Sequence, residues 1–244
     1  FSLYKTAEKY GKENYMKDGR YTFHDDAVRS IGVIGSKHLD TADFPSGYCI
    51  FEKFAPSDPC DEVMECSLKF KKTVEEHLPQ YKNKFDAIWE IFLENKEKLQ
   101  QIYPELPTSV FQADLNYSNI LLNNNLEFAG VLDFNLCGRD TILNYLFREA
   151  FVDFSENVTS ESENKIYYSE KLNEQSLQSF INNIQIAKET YSFSETEKKA
   201  AILIYRYLRP FWWERPREIC RIKNDDEKVL KLLDWIKNEL TRND

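Results

Sequence analysis

The residues with chemistry to offer are concentrated in one stretch, Phe111-Gln112-Ala113-Asp114-Leu115-Asn116-Tyr117-Ser118-Asn119-Ile120-Leu121-Leu122, followed by Gly130-Val131-Leu132-Asp133-Phe134. An Asp is followed five residues on by an Asn, and a second Asp closes the next apolar run. Phosphoryl transfer to an alcohol uses three such groups: a carboxylate to orient and deprotonate the attacking hydroxyl, and an amide oxygen and a second carboxylate to hold magnesium. In that assignment Asp114 is the candidate catalytic base. Asn119 supplies a neutral oxygen ligand for a hard cation, and Asp133 an anionic one. The spacing from Asp114 to Asn119 taken alone also fits a plain loop whose polar side chains bond the local backbone. The apolar strand after Asn119, the turn, and the Asp at the end of the return strand shift the balance towards a site.

The elements that must position these groups read as two short strands, residues 120–122 and 128–134. The run Asn123-Asn124-Asn125 between them supplies the turn, because Asn tolerates the left-handed conformation. Alternation puts Ala129, Val131 and Asp133 on one face of the return strand, with Asp133 at the exit of a buried hairpin. Elsewhere the pattern is helical. Val28, Ile31 and Ile34 predict a helix over 25–38 despite Gly32 and Gly35. Val63, Leu68, Phe70, Val74 and Leu78 mark a helix over 61–78. Phe85, Ile88, Trp89 and Phe92 fall at i, i+3, i+4 and i+7 in a helix ended by Pro104 and Pro107. Residues 177–188 predict another. Stripes of Ala200, Leu203, Ile204, Tyr207, Leu208 and Phe211, and of Val229, Leu232, Leu233, Ile236 and Leu240, predict two more. Residues 39–60 and 156–170 read as loops. The expected fold class is α+β, mostly helical, around one small catalytic β-hairpin.

Composition sets outer limits. The 244 residues are enough for a sizeable core, and 42% hydrophobic with 14% aromatic residues argues against disorder. A net charge of −9 disfavours a nucleic-acid partner, whose phosphates need a basic face. It leans towards a cationic small substrate. Cys49, Cys60, Cys66, Cys137 and Cys220 are odd in number and lack a C-x-x-C pair, which predicts a reduced, cytoplasmic protein. His24, His38 and His77 show no metal-ligand spacing. No run of about 18 apolar residues predicts a membrane span. Phe1, in place of an initiator Met, reads as a start inside a longer gene product.

Residues 110–149 resemble the catalytic segment of the aminoglycoside phosphotransferase and choline kinase group, relatives of the protein kinases. The family's usual form is His-Gly-Asp, four residues, Asn, then a hairpin ending in Asp with an aromatic residue. On that match Asp114 falls on the catalytic base, and Asn119 and Asp133 fall on the magnesium ligands. Asn116 and Ser118 fill the polar positions between base and Asn. The resemblance implies a protein-kinase-like carboxy-terminal lobe over 23–244, with 1–22 near a hinge. It also implies ATP as co-substrate, Mg²⁺, and a small hydroxyl compound as acceptor. The helix over 25–38 weakly resembles the helix that precedes this segment in the family. Three positions depart from the pattern: Gln112 replaces the His, Ala113 the Gly, and Asn144 an Asp of a loop-bracing Asp-Leu pair.

The seven glycines form no G-x-G-x-x-G or Walker pattern. Lys53, after the strand-like Cys49-Ile50-Phe51, reads as a surface lysine rather than a phosphate anchor. The family's nucleotide lobe is therefore expected to be missing from this chain, and the chain alone to turn over little. A non-catalytic kinase-like binding or scaffold module is the rival, supported by the missing glycine loop, Gln112 and Asn144. A metal-dependent phosphohydrolase uses the same carboxylates but needs an activated water and more ligands.

The sequence 207–215 places aromatics beside Glu214. It reads as an aromatic-anchored helix end with an Arg–Glu pair, or as a grip for an ammonium group. Asp25-Asp26 reads as an acidic helix start. Asp58, Asp61 and Glu62 read as solvated loop charge, and Cys137 as a structural thiol.

Overall fold

The computed structural model describes residues 4–17, 20–37, 49–51, 62–150 and 170–242. In chain order the strands are β1 (Lys5–Thr6), β2 (Met16–Lys17), β3 (Arg20–Tyr21), β4 (Ser109–Gln112), β5 (Ile120–Leu122), β6 (Phe128–Val131) and β7 (Cys137–Asp140). The α-helices are α1 (Lys12–Tyr15), α2 (His24–Lys37), α3 (Glu62–His77), α4 (Lys82–Ile102), α5 (Ile142–Glu149), α6 (Glu170–Ala187), α7 (Glu195–Leu208), α8 (Arg215–Ile222) and α9 (Asp226–Thr241). The protein is α+β and mostly helical, with small antiparallel sheets.

The contacts divide the chain into two units. The first comprises Phe1–Cys60, Pro107–Lys165 and Ser169–Phe193; the second comprises Asp61–Leu106, Ile166–Tyr168 and Ser194–Asp244. Residues 1–22, expected at a hinge, contribute β1 to the first unit, where Lys5 pairs with Leu122 and Thr6 with Leu121. That sheet has the order β1-β5-β6. A separate two-stranded ribbon joins β4 to β7, in register from Ser109 opposite Asp140 to Gln112 opposite Cys137. β7 was not expected, because a strand this short carries no alternation of its own.

In the first unit α2 packs against α5 and α6. Its glycines, awkward for helix propensity, lie where neighbours approach closely. A Cβ on Gly32 would come within 2.3 Å of Thr190 Oγ1 and 3.0 Å of the Ala187 carbonyl. Contact, not flexibility, explains that residue. Phe111 stacks against Tyr145 at 4.5 Å, and Ile120 and Leu122 are fully buried beneath the sheet. Tyr15, Tyr21 and Phe23 form a buried aromatic cluster, with Tyr117 stacked on Tyr15 at 6.4 Å.

The second unit is helical in every described element. Phe85, Ile88, Phe92 and Leu99 of α4 are buried, as the periodicity requires. The ring of Phe211 meets Phe70, Phe85, Trp89 and Phe92 at centroid distances of 4.8–6.4 Å. All five expected apolar positions of α9 are buried. Leu68, expected in the apolar stripe of α3, is instead 49% exposed. α7 opens on a reciprocal cap, with the Ser194 hydroxyl accepting from Glu197 N and Glu197 Oε2 accepting from Ser194 N. α6 begins at Glu170, seven residues before the periodicity becomes legible. The loops expected over 39–60 and 156–170, including Tyr48, Pro45, Pro56, Pro59, Asp58 and Lys53, lie outside the described residues except for 49–51 and Glu170.

Candidate functional site

The ribbon β4–β7 is what brings the two halves of the motif together. β4 leads directly out into Asp114, and Asp133 lies four residues before β7. Ala113 N donates to the Leu136 carbonyl at 3.1 Å, extending the pairing one step beyond the ribbon. The excursion between them folds back as the β5–β6 hairpin. At its base Leu132 N donates to the Asn119 carbonyl at 2.7 Å.

Gln112 sits at the junction, 5% exposed. Its Oε1 accepts from Asp114 N at 2.6 Å, which fixes the amide orientation because a backbone N–H can only donate. Its Nε2 then donates to the Asp114 carbonyl at 2.9 Å and the Asp133 carbonyl at 3.0 Å. One buried side chain thus ties both acidic segments by their backbones. Gln112 is thus a hydrogen-bonding brace between the two segments.

Asn119, also buried, donates from Nδ2 to the Asp114 carbonyl at 2.8 Å and to Asp114 Oδ2 at 3.0 Å. Among the described residues its Oδ1 meets only the Ser118 hydroxyl, at a long 3.4 Å. Asn116 Nδ2 donates to Asp114 Oδ1 at 2.7 Å. Asp114 is half-buried and its carboxylate is held by neutral amides. Asp114 and Asn119 are therefore in direct contact, and Asp133 is joined to them through Gln112 rather than side chain to side chain.

Asp133 departs from expectation in one respect. β6 ends at Val131, so Asp133 is not on the strand and shares no face with Ala129 and Val131. It adopts φ 57° and ψ 76°, a left-handed conformation, and its carboxylate accepts weakly from Asn135 N at 3.3 Å. Such a backbone costs of order 1–3 kcal/mol outside glycine, and the observed outlier motivates a functional reading of this turn. Nor is the hairpin exit buried: β6 is half-buried to exposed, and residues 132–136 are all exposed. Solvent therefore reaches the Asp133 carboxylate. The turn differs as well. The left-handed residue is Leu126, φ 64°, not an Asn. Asn123 acts through its side chain, Oδ1 accepting from Asn125 N and Glu127 N at 2.8 and 3.0 Å. The Asn-rich run makes an Asx-type turn and leaves the strained position to the residue that follows it.

Asp140 is the residue that sequence reasoning missed. It is 1% exposed, and its carboxylate accepts from Thr141 N at 2.6 Å, Ile50 N at 2.8 Å and Asn144 Nδ2 at 2.7 Å. Asn144 is thus the donor to a carboxylate one turn upstream. Asp140 clamps the far end of the ribbon to the segment at Ile50. The signal was available as Asp140-Thr141 directly before an apolar run, a helix-start pattern. Burial raises the Tyr145 phenol well above its ordinary range, with Asp140 adding to the effect; its hydroxyl donates to the Gly138 carbonyl at 2.9 Å.

The aromatic cluster at 207–215 resolves to its structural reading. The Arg215 and Arg209 guanidinium groups lie 4.2 and 5.1 Å from the Trp235 ring. Arg209 pairs with Glu214 at 2.7 Å, and Arg215 pairs with Glu218. The chain's own arginines take the places an ammonium ligand would need. Asp26 pairs with Arg29 at 2.7 Å in the first turn of α2, as an acidic helix start does. Cys137 is half-buried on β7.

Compared with protein-family models, the chain matches none. No curated protein matches it either. Among the described residues, no helix is long and apolar enough to cross a membrane. Among the same residues, no group of three or more His, Cys, Asp or Glu side chains is placed to hold a metal ion.

Proposed function

We propose that the chain carries the catalytic segment of an ATP- and Mg²⁺-dependent phosphotransferase acting on the hydroxyl of a small molecule, similar to the aminoglycoside and choline kinases. The observation that carries this reading is the double tie of Gln112 to the backbones of Asp114 and Asp133, which brings a proton acceptor and an exposed acid to one place. The donor set fits magnesium: Asn119 Oδ1 and the Asp133 carboxylate are hard oxygens, and neither is consumed by a strong internal hydrogen bond. With two protein ligands, the remainder of the coordination falls to phosphate oxygens and water. The ion when bound neutralises charge on the transferred phosphoryl group.

The chain's own residues do the rest. Asn119 holds the loop by its amide nitrogen, which leaves its oxygen as the acceptor for the ion. Asp114 offers a lone pair to the acceptor hydroxyl and takes its proton as that oxygen bonds to the γ-phosphorus and the bond from phosphorus to the ADP oxygen breaks, releasing ADP. Gln112 keeps the two segments in register, and the rate advantage comes mainly from that positioning. Binding of ATP measured calorimetrically with and without Mg²⁺ tests the reading. Magnesium-dependent binding that disappears in Asp133→Ala supports it; absence of such binding, even with a nucleotide lobe joined to the chain, refutes it.

A non-catalytic binding module is favoured by a separate observation. Leu132, Phe134 and Leu136, flanking Asp133, are 40%, 56% and 39% exposed. Apolar exposure of that density marks contact surfaces. Nucleotide-independent partner binding at these residues, with no ATP affinity, is what that reading requires.

A further inference from the structure

We propose that Asn116 is a positioning residue for Asp114, setting the orientation of the carboxylate that receives the acceptor proton; the proposal rests on the phosphotransferase reading above. A carboxylate anchored only through its backbone rotates about its last side-chain torsion, which is broad and roughly two-fold. Here the torsion is pinned from both sides. Oδ1 accepts from Asn116 Nδ2 at 2.7 Å, and Oδ2 accepts from Asn119 Nδ2 at 3.0 Å. Each oxygen retains a second lone pair, so the plane is fixed without exhausting the acceptor capacity.

The Asn116 amide is itself unambiguous. Its Oδ1 accepts from Ser118 N at 2.9 Å and from the Ser118 hydroxyl, so the nitrogen must face Asp114. The relay from Ser118 through Asn116 to Asp114 touches the Asn119 oxygen assigned to the metal through the Ser118 hydroxyl, at a long 3.4 Å. Asn119 bonds both the backbone and the side chain of Asp114, whereas Asn116 bonds only the carboxylate. Asn116 therefore acts on the base through its carboxylate.

Asn116→Asp is the discriminating variant, because it is nearly isosteric and still accepts from Ser118. It replaces the donor facing Asp114 with a second carboxylate oxygen at close range. Steady-state Mg²⁺-dependent phosphate release from ATP, with water as the acceptor, should show kcat reduced about tenfold or more and KM for ATP changed less than about twofold. Unchanged kcat, or a loss carried entirely by KM, overturns the proposal.

A second measurement does not depend on activity. Thermal melts of the unaltered chain, Asp114→Asn, Asn116→Asp and the double variant form a cycle in which the double variant restores one donor facing one acceptor. Asn116→Asp should lower Tm, and adding Asp114→Asn should recover most of that loss; additive effects overturn the contact. If the unaltered chain, even with a nucleotide lobe joined to it, shows no Mg²⁺-dependent phosphate release while the cycle shows coupling, the phosphotransferase reading fails but the Asn116–Asp114 contact stands.

Discussion

The half-buried Asp114 carboxylate is oriented by neutral amides and the exposed Asp133 is tied to Gln112 by its backbone carbonyl, whereas Glu214 and Glu218 are held by Arg209 and Arg215 beside Trp235. Both regions concentrate acids; the sequence marked the hairpin as a site and read 207–215 first as a structural helix end. The difference lies in what satisfies the charge. Two buried arginines against the half-buried Glu214 and the buried Glu218 leave no net charge to offer, and the Trp235 face is already covered by guanidinium. At the hairpin, Gln112, Asn116 and Asn119 contribute geometry but no charge, so the carboxylates keep their electrostatic reach. Amide-held acids are available for chemistry; arginine-held acids stabilise packing.

The largest effect that tests this contrast is on turnover. Asp114→Asn should reduce Mg²⁺-dependent phosphoryl transfer by about 10²–10⁴-fold while leaving ATP affinity nearly intact. Glu218→Gln should leave turnover unchanged, and a comparable loss there would erase the distinction. The next effect is on stability. Arg215→Ala strands the buried Glu218 carboxylate, while Glu214 keeps Arg209, and should cost about 3–5 kcal/mol in urea unfolding. A cost under about 1 kcal/mol would mean that the ion cluster is solvated after all.

Gln112→Ala leaves the Asp114 N–H and the Asp133 carbonyl without their partner, the Asp114 carbonyl keeping Asn119, and should cost about 1–3 kcal/mol, with a parallel loss of turnover. Gln112→His, which restores one donor, should recover part of both; equal damage by the two substitutions would show that only the volume of Gln112 matters.

The smallest effects are on pH dependence, and the two regions should respond at opposite ends of the scale. Burial works to raise Glu214, but Arg209 and Arg215 beside it hold its carboxyl below the ordinary value of 4.5. A depressed folded value stabilises above the unfolded value, and that stability is lost as pH falls below about 4.5 through the folded one. Glu214→Gln should flatten this acid limb. Burial, with Asp140, raises Tyr145 well above 10.0, so the folded state favours the neutral phenol. Its contribution is complete below pH 10 and is lost as alkali ionises the unfolded chain. Tyr145→Phe should flatten the alkaline limb in far-ultraviolet dichroism melts and leave the acid limb alone.

How much was legible depended on the range of the interaction. The helical stripes at 85–92, 200–211 and 229–240 could be read because a 3.6-residue repeat is written locally. The Asp114–Asn119 relation could be read because the loop between them closes on itself. Leu68 misled because an apolar residue on the outer face of a helix looks the same in sequence as one on the inner face. Lys53 lies outside the described residues.

Taken by itself, the sequence determined which side chains could take part in phosphoryl transfer, that a hairpin would separate Asn119 from Asp133, and that most of the chain would be helical. Only the tertiary structure decided that β4 pairs with β7, that Gln112 links both acids, that Asp133 leaves the strand in a left-handed turn, and that Asp140 anchors the ribbon at Ile50. The physical reason is that these features are hydrogen bonds between residues about 20 to 90 positions apart. Such partners are fixed when the ribbon closes, and no periodicity in the intervening chain records them.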